Sequence, residues 1–327
     1  DLLVINGLGV FGITFLFPQE FYELTPFHQT QKYKKKTMKQ YFFKISILFL
    51  LLSSFSQNLI AQHSGAILWE ISGNNLKQKS YLFGTIHIQD ERVFQFSDEV
   101  LSAFNSCDAF AMEVILDEVD AKTTQKAILL EEGTIKDIIS EEDYNLLDAY
   151  FKEKAGTSVA LYVKLKPFFL YSQLSQLDMK QDMEMALDMH LLQKARAEGK
   201  ATYSIEKFEE QVAAIDKISL EDQAKMLMEE VKKEKNEDDG ENDTEKLIQA
   251  YLDADLDKMI ELLADTTLPA QFNQAFVIDR NKVMCKRIIK LIKKQSCFCA
   301  VGAAHLGGKD GLIELLREKG YTVKAIK

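Results

Sequence analysis

Histidine is scarce in this chain. Of 327 residues only five are histidine: His28, His63, His87, His190 and His305. Cysteine is scarcer still, with four at positions 107, 285, 297 and 299, none in a C-x-x-C pair. That spacing excludes a dithiol redox motif and gives no support to a cysteine-rich structural zinc site. Cys297 and Cys299 alternate along an apolar run, so they share a face without bonding each other, and all four cysteines read as small buried hydrophobes. No H-E-x-x-H and no G-x-S-x-G occurs, which removes the helix-borne zinc motif and the serine nucleophile elbow. A glycine-rich turn is present at Gly307, Gly308 and Gly311, but without the lysine spacing of a phosphate loop.

No methionine precedes Met38. Residues 1–37 run into Lys32-Tyr33-Lys34-Lys35-Lys36 and read as upstream translation rather than protein. Residues 38–61 have the form of a secretory signal: Lys39 and Lys44, an apolar stretch Ile45–Phe55, then Leu59-Ile60-Ala61 before Gln62. The apolar stretch is too short for a membrane span; an uncleaved N-terminal anchor is the alternative. No cysteine follows it closely, which argues against a lipoprotein signal. Residues 62–327 are long enough for one domain with a substantial core. Residues 1–61 carry six lysines against three acids, so the −10 of the whole chain leaves −13 for 62–327. Such an acidic domain is unsuited to neutralising phosphates, so nucleic acid is not an expected partner. An exported protein, periplasmic or extracellular and with no stable membrane span after signal cleavage, fits better.

The pattern predicts an α/β fold with a central mixed sheet, flanking helices and a largely helical middle. Ile67–Ile71 and Ser80–Ile88 read as a hairpin. Ser97 caps a helix to Asn105. Ala109–Ile115 reads as a buried strand with one carboxylate, Glu113, inside it. The middle offers helices over 134–139, 141–154, 159–177 with Pro167 as a break, 179–198, 207–215, 244–264 and 272–294. Lys200–Ile205 reads as a strand between two of them. Residues 229–246 form a run of charge, expected as a solvated loop or fraying helix ends. The end of the chain reads β–α–β over 296–304, 309–319 and 321–326. The methionines at 179, 183, 185 and 189 have helical spacing and are assigned to packing.

The feature that carries chemistry is a G-x-x-H frame that occurs twice: Gly84-Thr85-Ile86-His87 and Gly302-Ala303-Ala304-His305. Each ends an apolar run. In open α/β sheets ligands bind beyond the carboxyl ends of strands, and a histidine there serves as a metal ligand or proton-transfer group. A carboxylate among Phe110, Ala111, Met112, Val114 and Ile115 is costly to bury unpaired, so Glu113 must meet a cation, a metal or a donor, or else turn to solvent. Two histidines and a carboxylate are the minimum set for a catalytic divalent metal with an open position, which lowers the pKa of a bound water and polarises a carbonyl. Arg280 is a candidate for stabilising an oxyanion or for pairing with Glu113. Glu206 reads as a first-turn helix acid, and Asp188 as a satisfied core aspartate.

With LFGTIH (82–87), Glu113 after Met112, LDMHLLQKARAEGKATYSIEKFEEQ (187–211), DRN (279–281) and VGAAHLGGKDGLIELLREKGYTV (301–323), the chain resembles the TraB/GumN family, which includes pheromone-shutdown proteins and the animal Tiki proteases. The resemblance implies a fold similar to the erythromycin esterase and ChaN-like proteins, and a cleft lined by both G-x-x-H frames and the glutamate. It implies His87, Glu113 and His305 as metal or catalytic residues, with Arg280 beside them. Gly84 and Gly302 would shape the cleft, and Glu206 and Asn281 would support it. The Tiki branch is described as metal-dependent, favouring manganese or cobalt; zinc is the further candidate. A peptide or small-molecule substrate is implied as well. The chain departs from the family in the acidic run near 229–246 and in Ile205, where a leucine is usual. Three readings come from this: an exported metal-dependent hydrolase acting on peptides, a non-enzymatic protein that sequesters a peptide or small ligand in the same cleft, and a metal-free His/Glu hydrolase of the esterase kind.

Overall fold

The computed structural model describes residues 65–177, 179–236, 243–264 and 273–327. The upstream segment and the signal-like stretch lie outside the described residues. The described part is a mixed six-stranded sheet packed by helices. Its strands are β1 (Leu68–Ser72), β2 (Ser80–Thr85), β3 (Ala109–Met112), β4 (Ala201–Ser204), β5 (Cys297–Gly302) and β6 (Thr322–Ile326), in the order β4-β3-β5-β2-β1-β6. β1 pairs antiparallel with β2 and β6, while β2, β3, β4 and β5 pair parallel. Four adjacent strands therefore end at one edge. The expected hairpin is β1–β2. The terminal β–α–β forms, but β5 and β6 are not neighbours; β2 and β1 lie between them.

Phe298 in β5 anchors the sheet core. Its ring lies 5.5 Å from Phe83 and 5.3 Å from Phe104. Phe104 is on α1 (Asp98–Ser106), which starts at Ser97, whose hydroxyl accepts from Val100 N. Burying several aromatic rings on one another stabilises the sheet by roughly 2–3 kcal/mol per ring from area alone. A second core forms among the middle helices. It includes Leu147 on α3 (Glu141–Ala155), Phe168 on α4 (Pro167–Leu177), Phe208 on α6 (Phe208–Ile215) and Leu227 on α7 (Leu220–Asn236). The remaining helices are α2 (Ala121–Ile128), α5 (Leu187–Ala197), α8 (Asp243–Leu252), α9 (Leu256–Ala264), α10 (Asp279–Ile292) and α11 (Leu312–Glu318). Met112 belongs to the first core and Val114 to the second, so Glu113 sits where the two meet. All four cysteines are buried free thiols, and Cys297 and Cys299 share a face with sulfurs 3.6 Å apart.

Several local expectations change in three dimensions. β3 stops at Met112, which puts Glu113 just past the strand. Pro167 does not interrupt a helix; it opens α4, where its missing N–H costs nothing. The helix expected from 179 begins only at Leu187, because the chain before it bonds to the segment after β2: Met183 N donates to Gln89 O and Leu187 N to Ile88 O. The helix expected over 244–264 is two, α8 and α9, broken at Ala254 with φ of 53°. The segment expected as one helix from 272 begins with a π-helical turn, Gln274–Ile278. The acidic run 229–246 is not a loop throughout. It is helical to Asn236 and again from Asp243, because buried Ala224, Leu227, Met228 and Val231 recur at helical spacing. Residues 237–242 lie outside the described residues.

Candidate active site

β2 and β5 are parallel neighbours with Gly84 opposite Val301 and Thr85 opposite Gly302. The two G-x-x-H frames therefore leave the sheet side by side. β3 lies on the other side of β5, with Met112 opposite Ala300, and β4 is next, with Ser204 opposite Met112. Hence His87, His305, Glu113 and Glu206 all lie beyond the carboxyl ends of four adjacent strands, the place where open sheets bind ligands.

Gly302 marks the centre. A Cβ built there would be 3.2 Å from Glu113 Oε1, 3.6 Å from His305 Cδ2 and 3.9 Å from His87 Nε2. Gly84 is needed for a different reason. A Cβ there would meet Leu306 Cδ1 at 2.9 Å and Ala303 Cβ at 3.0 Å, so its absence lets the turn after β5 close down on β2.

Glu113 is buried and held at both oxygens. Its Oε1 accepts from Gly302 N at 2.7 Å. Its Oε2 accepts from Arg280 Nη2 at 2.5 Å and from Gln211 Nε2 at 3.1 Å. Arg280 also donates to Glu206, through Nη2 at 2.6 Å and Nε at 3.1 Å, and to Phe276 O. Burial works against charge on Glu113, but the guanidinium, the two imidazoles and the Gly302 N–H hold it well below the usual carboxylate range. Glu206 moves up, because burial and the charge of Glu113 outweigh Arg280. A proton shared within this pair belongs on Glu206.

The histidines differ. His305 Nδ1 lies 2.7 Å from Asn281 Oδ1, and Asn281 Nδ2 donates to Asp310 O. That assignment makes Nδ1 the protonated nitrogen and leaves Nε2, 3.8 Å from Glu113 Oε1, with a free lone pair. Burial and the charge of Arg280 push His305 down to about 3, so it is neutral at ordinary pH. His87 Nδ1 lies 3.1 Å from Asp188 Oδ1. Burial opposes its protonation, yet Asp188 and Glu113 raise it to about 9. The site thus favours positive charge at His87.

His87, Glu113, His305, Arg280, Glu206, Asn281 and Gly302 are linked through these contacts, while Gly84 lies against Leu306 and Ala303 instead. Arg280 pairs with Glu113, one of the two roles its sequence position suggested. Sequence reasoning missed Gln211 and the role of Asp188. Gln211, whose Nε2 also donates to Glu206 Oε2 at 3.4 Å, carries no local signal. Asp188 had one: it is buried on the same face of α5 as Leu187, Leu191 and Leu192, and its Oδ1 accepts no hydrogen bond. It is not the satisfied core aspartate expected. Among the described residues no three His, Cys, Asp or Glu side chains stand ready as a metal-binding group. The donor chemistry nevertheless fits a divalent metal: two neutral-capable imidazoles present Nε2, with Nδ1 facing a partner, beside one oxygen of an ionised carboxylate.

The sequence model of the TraB/PrgY/gumN family matches residues 67–325. The chain is similar to metalloprotease TIKI2 of Xenopus tropicalis, 24% identical over 303 residues, covering 75% of this chain and 57% of that protein. It is similar to metalloprotease TIKI1 of Xenopus tropicalis, 26% identical over 321 residues, with 79% and 61% covered. For human metalloprotease TIKI1 the identity is 24% over 322 residues, again with 79% and 61% covered. The chain thus spans about three fifths of the length of these relatives. No solved structure matches it.

Proposed function

The chain belongs to the TraB/PrgY/gumN family, and from that premise we propose that it is an exported metal-dependent hydrolase acting on peptides. The observation that carries the reading is the convergence at Gly302: His87 Nε2 and Glu113 Oε1 near one point, with His305 turned to the same place. His87, His305 and one oxygen of Glu113 would hold the metal, with manganese or cobalt the leading candidates and zinc the third. A divalent ion there would supply Lewis acidity, activating water and polarising a carbonyl. The relatives named as metalloproteases support the substrate class. Export rests on the basic and apolar pattern of residues 38–61, and no described helix is long and apolar enough to cross a membrane.

The residues divide the work. Arg280 and Gln211 saturate Glu113 Oε2, so Glu113 acts through Oε1 alone, as a single-oxygen ligand or as the base that takes a proton from water. Asn281 holds His305 with Nε2 inward. Arg280 is spent on two carboxylates and keeps them apart from solvent; it has no donor left over for a substrate oxyanion beyond Nη1, which faces Phe276 O.

Metal content of the purified chain after loading with Mn²⁺, Co²⁺ or Zn²⁺ tests this, beside His87→Ala and His305→Ala. About one ion per chain, lost in both variants, followed by cleavage of a peptide library, is the expected result. A folded wild type that takes up none of the three ions would overturn it. A metal-free His/Glu hydrolase is the second reading, favoured by the 3.8 Å approach of His305 Nε2 to Glu113 Oε1; hydrolysis insensitive to chelator would select it.

A further inference from the structure

Asp188 lies behind His87, on the side away from Gly302, and its placement is built into the fold. The two residues after His87 are stitched to the chain that leads into α5. Leu187 N donates to Ile88 O, Met183 N donates to Gln89 O, and Gln89 bridges to Gln181. This pairing delivers the second residue of α5, Asp188, to His87. The side chain is 12% exposed, and its Oδ1, itself buried, lies 3.1 Å from His87 Nδ1 without the alignment of a hydrogen bond. A buried carboxylate oxygen with no donor is costly. Among the described residues, the ring nitrogen set against it is His87 Nδ1. Asn281 faces His305 Nδ1 through a hydrogen bond, so each histidine of the two frames has Nδ1 facing a partner, with His87 Nε2 towards Gly302 and His305 Nε2 towards Glu113 Oε1.

We infer that Asp188 is a positioning residue for His87: it accepts the Nδ1 proton, fixes the ring and leaves Nε2 for the metal. The metal part rests on the proposed metal-dependent hydrolase; the ring-fixing part does not. A carboxylate behind a histidine also raises the basicity of the facing nitrogen, and losing such a partner typically weakens metal binding by about 10–100-fold. The neutral amide oxygen of Asn281 adds less of that basicity than a carboxylate, so the two histidines are unequal ligands and His87 is the stronger donor.

The test uses the full chain as wild type, Asp188→Ala, Asp188→Asn and His87→Gln. Co²⁺ titration is followed by calorimetry and by the visible absorption of the bound ion. In chelator, the His87 ring Nδ1–H resonance is followed by ¹⁵N-edited NMR, assigned by its loss in His87→Gln. The expected result is a protected Nδ1–H in wild type that Asp188→Ala loses. The same variant should bind Co²⁺ roughly 10–100-fold more weakly at unchanged stoichiometry, and Asp188→Asn should recover part of the loss. Unfolding midpoints identify a variant that merely fails to fold, and Asp188→Asn then carries the comparison. Wild-type Co²⁺ affinity in a folded Asp188→Ala overturns the inference, as does an Nδ1–H that survives it. A wild type that takes up no Co²⁺ but whose Nδ1–H depends on Asp188 discards the metal reading and keeps Asp188 as the residue that sets the ring.

Discussion

Glu113, Arg280 and Glu206 form a buried charge cluster in which one guanidinium serves two carboxylates. Removing the cation leaves both acids in a site with little water. Arg280→Met should therefore destabilise the protein by about 3–5 kcal/mol, measured as a lower urea midpoint. An unchanged midpoint would mean that the acids find other partners. The two glycines of the repeated frame should respond differently to a methyl group. At Gly84 the new Cβ meets a side chain and the Ala303 backbone, so Gly84→Ala should cost about 1–3 kcal/mol by overpacking. At Gly302 the nearest atom is Glu113 Oε1. Gly302→Ala should lose metal uptake, while its midpoint falls less than that of Gly84→Ala. The reverse ranking would show that Gly302 is a packing residue.

Beyond the parallel strands that place the site, α8 and the π-helical turn before α10 help to set it. Tyr251 of α8 donates its buried hydroxyl to Gly84 O at 2.9 Å, and Glu245 of the same helix bonds Arg92, which also grips Asp90. The segment from Gly84 through Arg92 is thus clamped to α8 at two points, with His87 between them. Tyr251→Phe removes one hydrogen bond and leaves a buried carbonyl without its donor. We expect a loss of about 1–2 kcal/mol and faster amide exchange at residues 84–88. Exchange unchanged there would mean that the sheet alone holds His87. The π-helical turn 274–278 runs directly into α10, which carries Arg280 and Asn281 near its start. The extra residue in such a turn rotates the rest of the helix about its axis, and so sets the direction in which these two side chains leave it. Neither the clamp nor the turn has a sequence pattern of its own. The helix α7 does: its buried apolar stripe carries helix into the charge run, whose two expected forms were a loop or fraying helix ends.

For the whole molecule, the ionisation of the two histidines predicts how stability varies with pH in chelator. The folded pKa of His305 is depressed from 6.5 to about 3. On acidification the unfolded chain takes that proton first, so this contribution is present above about 6.5 and is lost as pH falls towards 3. Glu113, also depressed, adds to the same arm. The folded pKa of His87 is raised from 6.5 to about 9, so its contribution is full below 6.5 and is lost as pH rises through 9. Melting temperature should peak near neutral pH, with His305→Gln flattening the acid arm and His87→Gln the alkaline one. Arms that do not move with their residue would sink this account.

Much of this molecule is local. The apolar runs and glycines of β2 and β5, the Ser97 cap, the apolar spacing of α3 and the two G-x-x-H frames were readable because strand ends, caps and periodicity depend on neighbours within a few residues. His87, His305 and Glu113 were singled out by those frames and by a carboxylate too costly to bury alone, whereas Asn281 and the supporting role of Glu206 were implied only by the family resemblance. What only the tertiary structure decided is how these residues are engaged. The parallel pairing of β2 with β5 sets the frames side by side. Arg280 takes one oxygen of Glu113 and leaves the other. Asn281 selects the nitrogen that His305 presents, and the bonding of Ile88 and Gln89 to the chain before α5 carries Asp188 to His87. Each of these is a contact between segments far apart in the chain, where a hydrogen bond or a charge is satisfied by whichever partner the sheet order brings near, and no local pattern of residues encodes that choice.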